Sequence, residues 1–262
     1  MGQKWVARSV TNIISELRKA KNIYQIDHFN IQDDNFSLDM KRARRMCEEL
    51  IEEKFNIKWS CYNGIRADKI DNELMTKMKE SGCFGISIGI ESAIRKEFDA
   101  IKKGEDFSDI LKAIEMALLN QISICANFII GLPYSNLESI RASIKFAIDM
   151  KLDSCIFNLL VPFPRTEIWD WVQSHSKILN DWREGFTMGR RPVIIFETDE
   201  FTKKDRIRAY YEANTKCRNY FAFINEHGLL VVNLFYVIKS ILQYDFCHLH
   251  FHVFWCVKNF KR

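Results

Sequence analysis

The stretch FNIQDDNF, residues 29–36, ends in two adjacent carboxylates, Asp33 and Asp34. The alternation of Phe29, Asn30, Ile31, Gln32 and Asp33 reads as a strand with one apolar face and one face of amides that ends in acid. Neighbouring carboxylates repel each other, which favours a site that holds a cation. The plain alternatives are an exposed edge strand, or Asp34 or Ser37 serving as the cap of a helix that starts near Leu38. A second acceptor-rich run, GISIGIES, puts Ser87, Gly89 and Glu91 on one strand face, where they can line a cavity. Gly89 leaves room beside them, and a structural salt bridge is the ordinary use of Glu91. A third group, HLHFH, puts His248, His250 and His252 on one face if that segment is extended. No carboxylate accompanies these histidines, and Cys247 and Cys256 stand nine apart, so packing or exposure is the reading and no metal site is expected.

These side chains need elements to position them. Apolar strand-like runs begin near residues 25, 57, 84, 122 and 154, with helical periodicity between them. Residues 9–21 set Val10, Ile13, Ile14 and Leu17 on one stripe, and residues 38–54 do the same with Ala43, Met46, Leu50 and Ile51. SNLE opens a further helix over 135–150 and predicts a capping box in which Ser135 accepts a backbone amide and Glu138 reaches back. Strand and helix alternating at about thirty residues per unit predict parallel strands joined by right-handed crossovers. Asn30, Gln32, Ser60, Ser87, Glu91, Asn127 and Asn158 fall near the C-terminal ends of successive strands, so the expected α/β fold is a partial (β/α) barrel with a polar mouth. Past Val161 the pattern changes: VPFPRTEIWDWV turns through two prolines into an aromatic helix, a short VIIFE run follows, and a helix is predicted over 202–227 from Thr202. The expected division is therefore a barrel over 1–172 and a mainly helical appendage over 173–262.

Composition sets the class. The 262 residues are 47% hydrophobic and 27% charged, which suits a folded globular chain. Its 38 basic and 34 acidic residues leave a net charge of +4, too little to point to nucleic acid. The eight cysteines form no CxxC pair and sit mostly in apolar runs, so reduced, buried thiols are expected. The opening MGQKWVARS lacks an apolar stretch, and a cytoplasmic chain is expected. The apolar segment 229–257 is interrupted by Asn233 and Lys239, so it is read as packing on the barrel or touching a membrane surface rather than crossing one. No glycine-rich phosphate loop supports an unrelated barrel acting on a phosphate.

Six strings in order, WVARS with NII, FNIQDDNF, WSCYNGIRAD, KMKESGCFGISIGIES, NFIIGLP with Glu138 five residues past Pro133, and FNLLVPFPRTE, together resemble the core of radical S-adenosylmethionine enzymes. The likeness spans about residues 4–172 and is strongest to the subgroup often fused to a cobalamin-binding domain. It implies a six-unit partial barrel whose first strand leads into a CxxxCxxC loop holding a four-iron, four-sulfur (4Fe-4S) cluster. Reduction through that cluster cleaves S-adenosylmethionine to a 5′-deoxyadenosyl radical. This sequence contains no CxxxCxxC. The expectation is a barrel lacking its first strand, with the cluster present only if the missing segment is supplied and with cobalamin belonging to a full-length protein.

By the same resemblance, Asp33 and Asp34 meet the amino group of the cofactor's methionine part, and Arg66 its carboxylate. The ordinary alternative for Arg66 is a pair with Asp68. Ser87 and Glu91 lie on the strand that hydrogen-bonds the ribose, and Asn127 faces inward. Gly131, with Pro133, makes a tight turn at which backbone can approach adenine. Asn158 faces substrate or is satisfied by backbone. The partner implied is a small-molecule cofactor, and the substrate stays open among methyl transfer, ring formation and methylthiolation. A barrel that binds without the cluster, as a non-catalytic binding or scaffold protein, is the competing reading.

Overall fold

The computed structural model describes residues 6–186 and 192–217. The segment 229–257, the three histidines of HLHFH, Cys247, Cys256 and the last ten residues of the helix predicted over 202–227 lie outside them.

Strands β1 (His28–Asn30), β2 (Lys58–Ile65), β3 (Cys83–Glu91), β4 (Ser123–Ile130) and β5 (Ser154–Leu159) form one sheet in sequential order. The ladders β1·β2, β2·β3 and β3·β4 are parallel. Helix α1 (Val10–Tyr24) precedes β1, and helices α2 (Met40–Glu52), α3 (Asn72–Glu80), α4 (Arg95–Ala100), α5 (Phe107–Leu119) and α6 (Leu137–Asp149) supply the connections, which gives the α/β partial-barrel class. Polar side chains start three of these helices. Ser9 caps α1, Asp39 caps α2 by accepting from Arg42 N at 3.0 Å, and Asp71 caps α3 by accepting from Leu74 N at 2.9 Å.

Two compact units share the chain. The first comprises residues 1–128 and 146–156, the second 129–145 and 157 onward. In the first unit, α2 buries Ala43, Met46, Cys47 and Leu50 on one stripe. Trp59 of β2 is fully buried, stacked on Phe29 and edge-on to Phe36, with its indole N–H donating to Ser81 O at 3.2 Å. In the second unit, α7 (Glu167–His175) and the antiparallel pair β6 (Lys177–Ile178) and β7 (Phe196–Glu197) enclose a core of Val172, Ile195 and Phe196. Its last described element, α8 (Lys203–Cys217), starts at Thr202 as the sequence predicts, with Thr202 Oγ1 accepting from Asp205 N at 3.2 Å.

Three local expectations are corrected. The alternation from Phe29 to Asp33 is strand only as far as Asn30, after which Asp33 and Asp34 stand in a loop. Asp and Asn disfavour strands and favour turns, and here that preference outweighs the alternation. Neither Asp34 nor Ser37 caps the next helix, because Asp39 does; Ser37 is buried and its Oγ accepts from Arg66 N at 3.3 Å. The box at α6 is built from Asn136 and Ser139 instead of Ser135 and Glu138. Asn136 Oδ1 accepts from Ser139 N at 2.9 Å, and Ser139 Oγ accepts from Asn136 N at 3.0 Å. Ser135 donates back to Leu132 O, while Glu138 pairs with Arg141 at 2.6 Å.

Candidate functional site

Within the first unit, candidate residues gather where β1, β2 and β3 end. After Asn30, the loop carries Asp33 and Asp34 along the wall of a cleft of about 850 Å³, also lined by Arg8, Glu16, Phe29 and Arg42. Both acids are exposed. Arg42 approaches Asp33 at 3.6 Å, and Asn63, near the end of β2, donates to Asp34 Oδ1 at 3.4 Å and to Gln32 O at 3.1 Å. Asp34 therefore keeps a carboxylate facing the cleft with only a neutral amide beside it. On the strands behind, Ser60 donates to Asn30 Oδ1 at 3.0 Å, so the amide of β1 is held rigidly by β2.

A chain of alternating charges crosses the ends of β2 and β3. Arg66 lies 2.8 Å from Asp68 and 3.3 Å from Glu105, and it donates to Gly104 O at 3.0 Å. Glu105, with its side chain 1% exposed, lies 3.2 Å from Lys103, whose ammonium stands 3.4 Å from Glu91. Lys103 also donates to Gly89 O. The pairing of Arg66 with Asp68, the ordinary use anticipated for this arginine, is thus present together with a second acid. The hydrogen bond to Asp68 and the charge of Glu105 outweigh burial and hold the guanidinium firmly protonated.

Glu91 is the most constrained member. It is non-glycine at φ +65°, beside a register shift between β3 and β4. Such a backbone is uncommon, and it folds the carboxylate back over Gly89, where a Cβ would collide with the Glu91 side chain. Burial pushes the Glu91 carboxyl above its ordinary value; the Lys103 ammonium pulls it down and Glu105 pushes it up further. The salt bridge foreseen as its ordinary role is there, yet one basic group is shared between two acids. Four residues back along β3, Ser87 is buried and its Oγ accepts from Asn127 Nδ2 at 2.7 Å.

The structure therefore links Arg66 with Glu91 through Lys103 and Glu105, pairs Ser87 with Asn127, and sets Asp33 and Asp34 on the cleft. Gly131 belongs to the second unit. Lys103 and Glu105 were not singled out from sequence, because KKGED reads as a solvated charge run. Its one usable signal is Gly104, which adopts φ +70° and turns the loop so that the flanking Lys and Glu point inward. Chemically the arrangement is acceptor-rich, with Asp34 and Glu91 offering anionic oxygens to a ligand's cation and hydroxyls.

A four-iron cluster does not fit the described residues. Among them, no group of three or more His, Cys, Asp or Glu side chains could hold a metal ion. Cys47, Cys61, Cys83, Cys155 and Cys217 are buried, and burial pushes the thiols of Cys47 and Cys61 up to about 11 and about 12, far from the thiolate that iron requires. No described helix is long and apolar enough to cross a membrane.

Comparison with known proteins bears on the family and the fold. The model of the Radical SAM superfamily matches residues 1–147. An uncharacterized methyltransferase of Pyrococcus horikoshii is 29% identical over 210 residues, which are 80% of this chain and 45% of that protein. Cytidylyl-2-hydroxyethylphosphonate methyltransferase of Streptomyces wedmorensis is 29% identical over 174 residues, 64% of this chain and 32% of the enzyme. The chain thus spans less than half the length of these relatives. Among solved structures, the radical S-adenosylmethionine methyltransferase TsrM of Kitasatospora setae, with cobalamin and a [4Fe-4S] cluster bound, has a TM-score of 0.59 at 16% identity, covering 69% of this chain and 38% of that one. The cobalamin-dependent enzyme OxsB, with aqua-cobalamin and S-adenosylmethionine bound, has a TM-score of 0.51 at 16% identity, covering 81% and 37%.

Proposed function

Because the chain belongs to the Radical SAM superfamily, we propose that the ends of β1, β2 and β3 bind S-adenosylmethionine and that the whole protein uses it for methyl transfer. The observation that carries the reading is Glu91, held by an unusual backbone at the end of β3 with one ammonium shared between it and Glu105. A carboxylate in that state has acceptor capacity left for two ribose hydroxyls, and the Ser87–Asn127 pair stiffens the strand surface beneath it. Asp34, facing the cleft, accepts from the cationic amine of the ligand's amino-acid part. Arg66, already committed to two acids, orders the Lys103–Glu105 loop and reaches the ligand carboxylate only by exchanging a partner. What the cofactor supplies when bound is a sulfonium with an activated methyl group.

Methyl transfer is the reaction class chosen because the two relatives described above are named methyltransferases. Cobalamin, bound in TsrM and OxsB, is assigned no residue of this chain. The competing reading, a non-catalytic binding barrel, is favoured by one fact: this sequence has no CxxxCxxC, and five of the six described thiols are buried. Both readings share the ligand and part at chemistry. The test is ligand-observed NMR with S-adenosylhomocysteine and 5′-methylthioadenosine, which carry the ribose and need no cluster anchor. Saturable binding of both, with competition between them, supports the proposal, and the absence of any saturation transfer contradicts it.

A further inference from the structure

Arg206 stands in the first turn of α8, in the second unit, and is 3% exposed. Its guanidinium carbon lies over two phenyl rings, 4.2 Å from the Phe196 centroid and 4.8 Å from that of Phe201. Nε donates to Phe201 O at 3.0 Å. Nε and the ring contacts are thereby used, and the two terminal amino groups form no hydrogen bond with any described residue. No carboxylate among the described residues lies within ion-pair distance. Glu197, whose charge favours the cation from farther away, accepts from Lys203 N at 2.8 Å and stands 3.8 Å from Lys177. Burial accordingly holds the guanidinium well below the usual arginine range, at about 10.

A buried arginine is ordinarily paired, and stacking alone leaves its in-plane donors unmet. The unmet fork abuts Gly131, the first residue after β4. That glycine sits at φ +102°, and a Cβ there would strike the guanidinium. Glycine at this point makes room for the guanidinium itself, at the C-terminal end of a parallel strand, where α/β sheets collect ligands. A planar fork with two parallel donors matches a carboxylate or a phosphate in bidentate geometry, and the Nε bond to Phe201 O with the two ring contacts holds the group in place.

We infer that the Arg206 fork receives an anionic group, a carboxylate or a phosphate, of a small-molecule ligand arriving at Gly131. The inference goes beyond the cofactor reading, since it stands on residues of the second unit alone. Its test is thermal denaturation of the full chain in increasing acetate, and separately in increasing inorganic phosphate, at constant ionic strength against chloride. Wild type shows a saturable rise in melting temperature in one series, and which anion produces it names the source. Arg206→Gln melts near wild type in chloride, because an unpaired buried charge adds little, and loses the response. Arg206→Lys, which keeps the charge but not the fork, needs about tenfold or more anion for the same rise. Gly131→Ala displaces the guanidinium that its Cβ would strike and abolishes the response. No response of wild type to either anion beyond chloride, or an equal response in Arg206→Gln, overturns the inference. A large fall in melting temperature of Arg206→Gln in chloride, without any anion response in wild type, assigns the arginine to stacking alone.

Discussion

Replacing Glu91 by Gln preserves shape and removes charge from the one acid whose backbone is constrained to face the strand ends. Glu91 lies 3.4 Å from Lys103, which keeps Glu105 at 3.2 Å after the change, so the loop retains an ion pair and the fold should survive. The loss falls on the ligand. A hydrogen bond to a charged acceptor is worth about 1.5–3 kcal/mol, so affinity for S-adenosylhomocysteine should drop about ten- to a hundredfold. Since burial raises the Glu91 carboxyl above its ordinary value, protonation should weaken wild-type binding at a higher pH than an ordinary glutamate would, and Glu91→Gln should lack that acid limb. The sign for folding is opposite. A carboxyl raised in the native state binds its proton more tightly there, so wild type loses stability as pH rises from the unfolded value through the folded one, and the variant does not. Titration by ligand-observed NMR across pH, with circular dichroism as the fold control, measures both effects. Unchanged affinity in a folded Glu91→Gln protein would refute the assignment.

Three further outcomes are expected. Asp34→Asn should weaken S-adenosylhomocysteine, which carries the amine, while leaving 5′-methylthioadenosine bound as in wild type; equal losses for both ligands would deny the amine contact. Glu212, which bonds Arg141 at 2.8 and 2.9 Å, is held at about 2, first by the Arg141 hydrogen bonds. Its contribution is present above the ordinary glutamate value and lost as pH falls towards about 2, so Glu212→Gln should flatten the acid limb of thermal stability, and a wild-type-like limb would argue against the pair. Anaerobic reconstitution of this chain with iron and sulfide should leave less than one four-iron cluster per chain, judged by iron content and the charge-transfer absorbance.

The strands were legible because long apolar runs such as CFGISIGIE and SICANFII have one dominant length scale, and all five runs read from the sequence are strands. Helix faces were legible for the same reason: Ala43, Met46 and Leu50 are buried as the period required, while Ile51 of the same predicted stripe is exposed. Ends were harder. Asp33 obeyed its turn preference over the alternation, and α6 chose Asn136 over Ser135 because several polar residues in a row can each start a helix. At the site, Glu91, Ser87 and Asn127 were visible as polar residues on otherwise apolar strands. Lys103 and Glu105 were not, since only the fold turns a charged loop inward and buries Glu105. Arg206 escaped notice for a similar reason, lying in FTKKDRIR, where nothing local marks one arginine as buried between two phenylalanines.

The central claim is a ligand position, and a crystal structure of the chain soaked with S-adenosylhomocysteine tests it most directly. The account predicts the ribose hydroxyls on the Glu91 carboxylate and the amine on Asp34. Density for the ligand elsewhere, with Glu91 still paired only to Lys103, would contradict it.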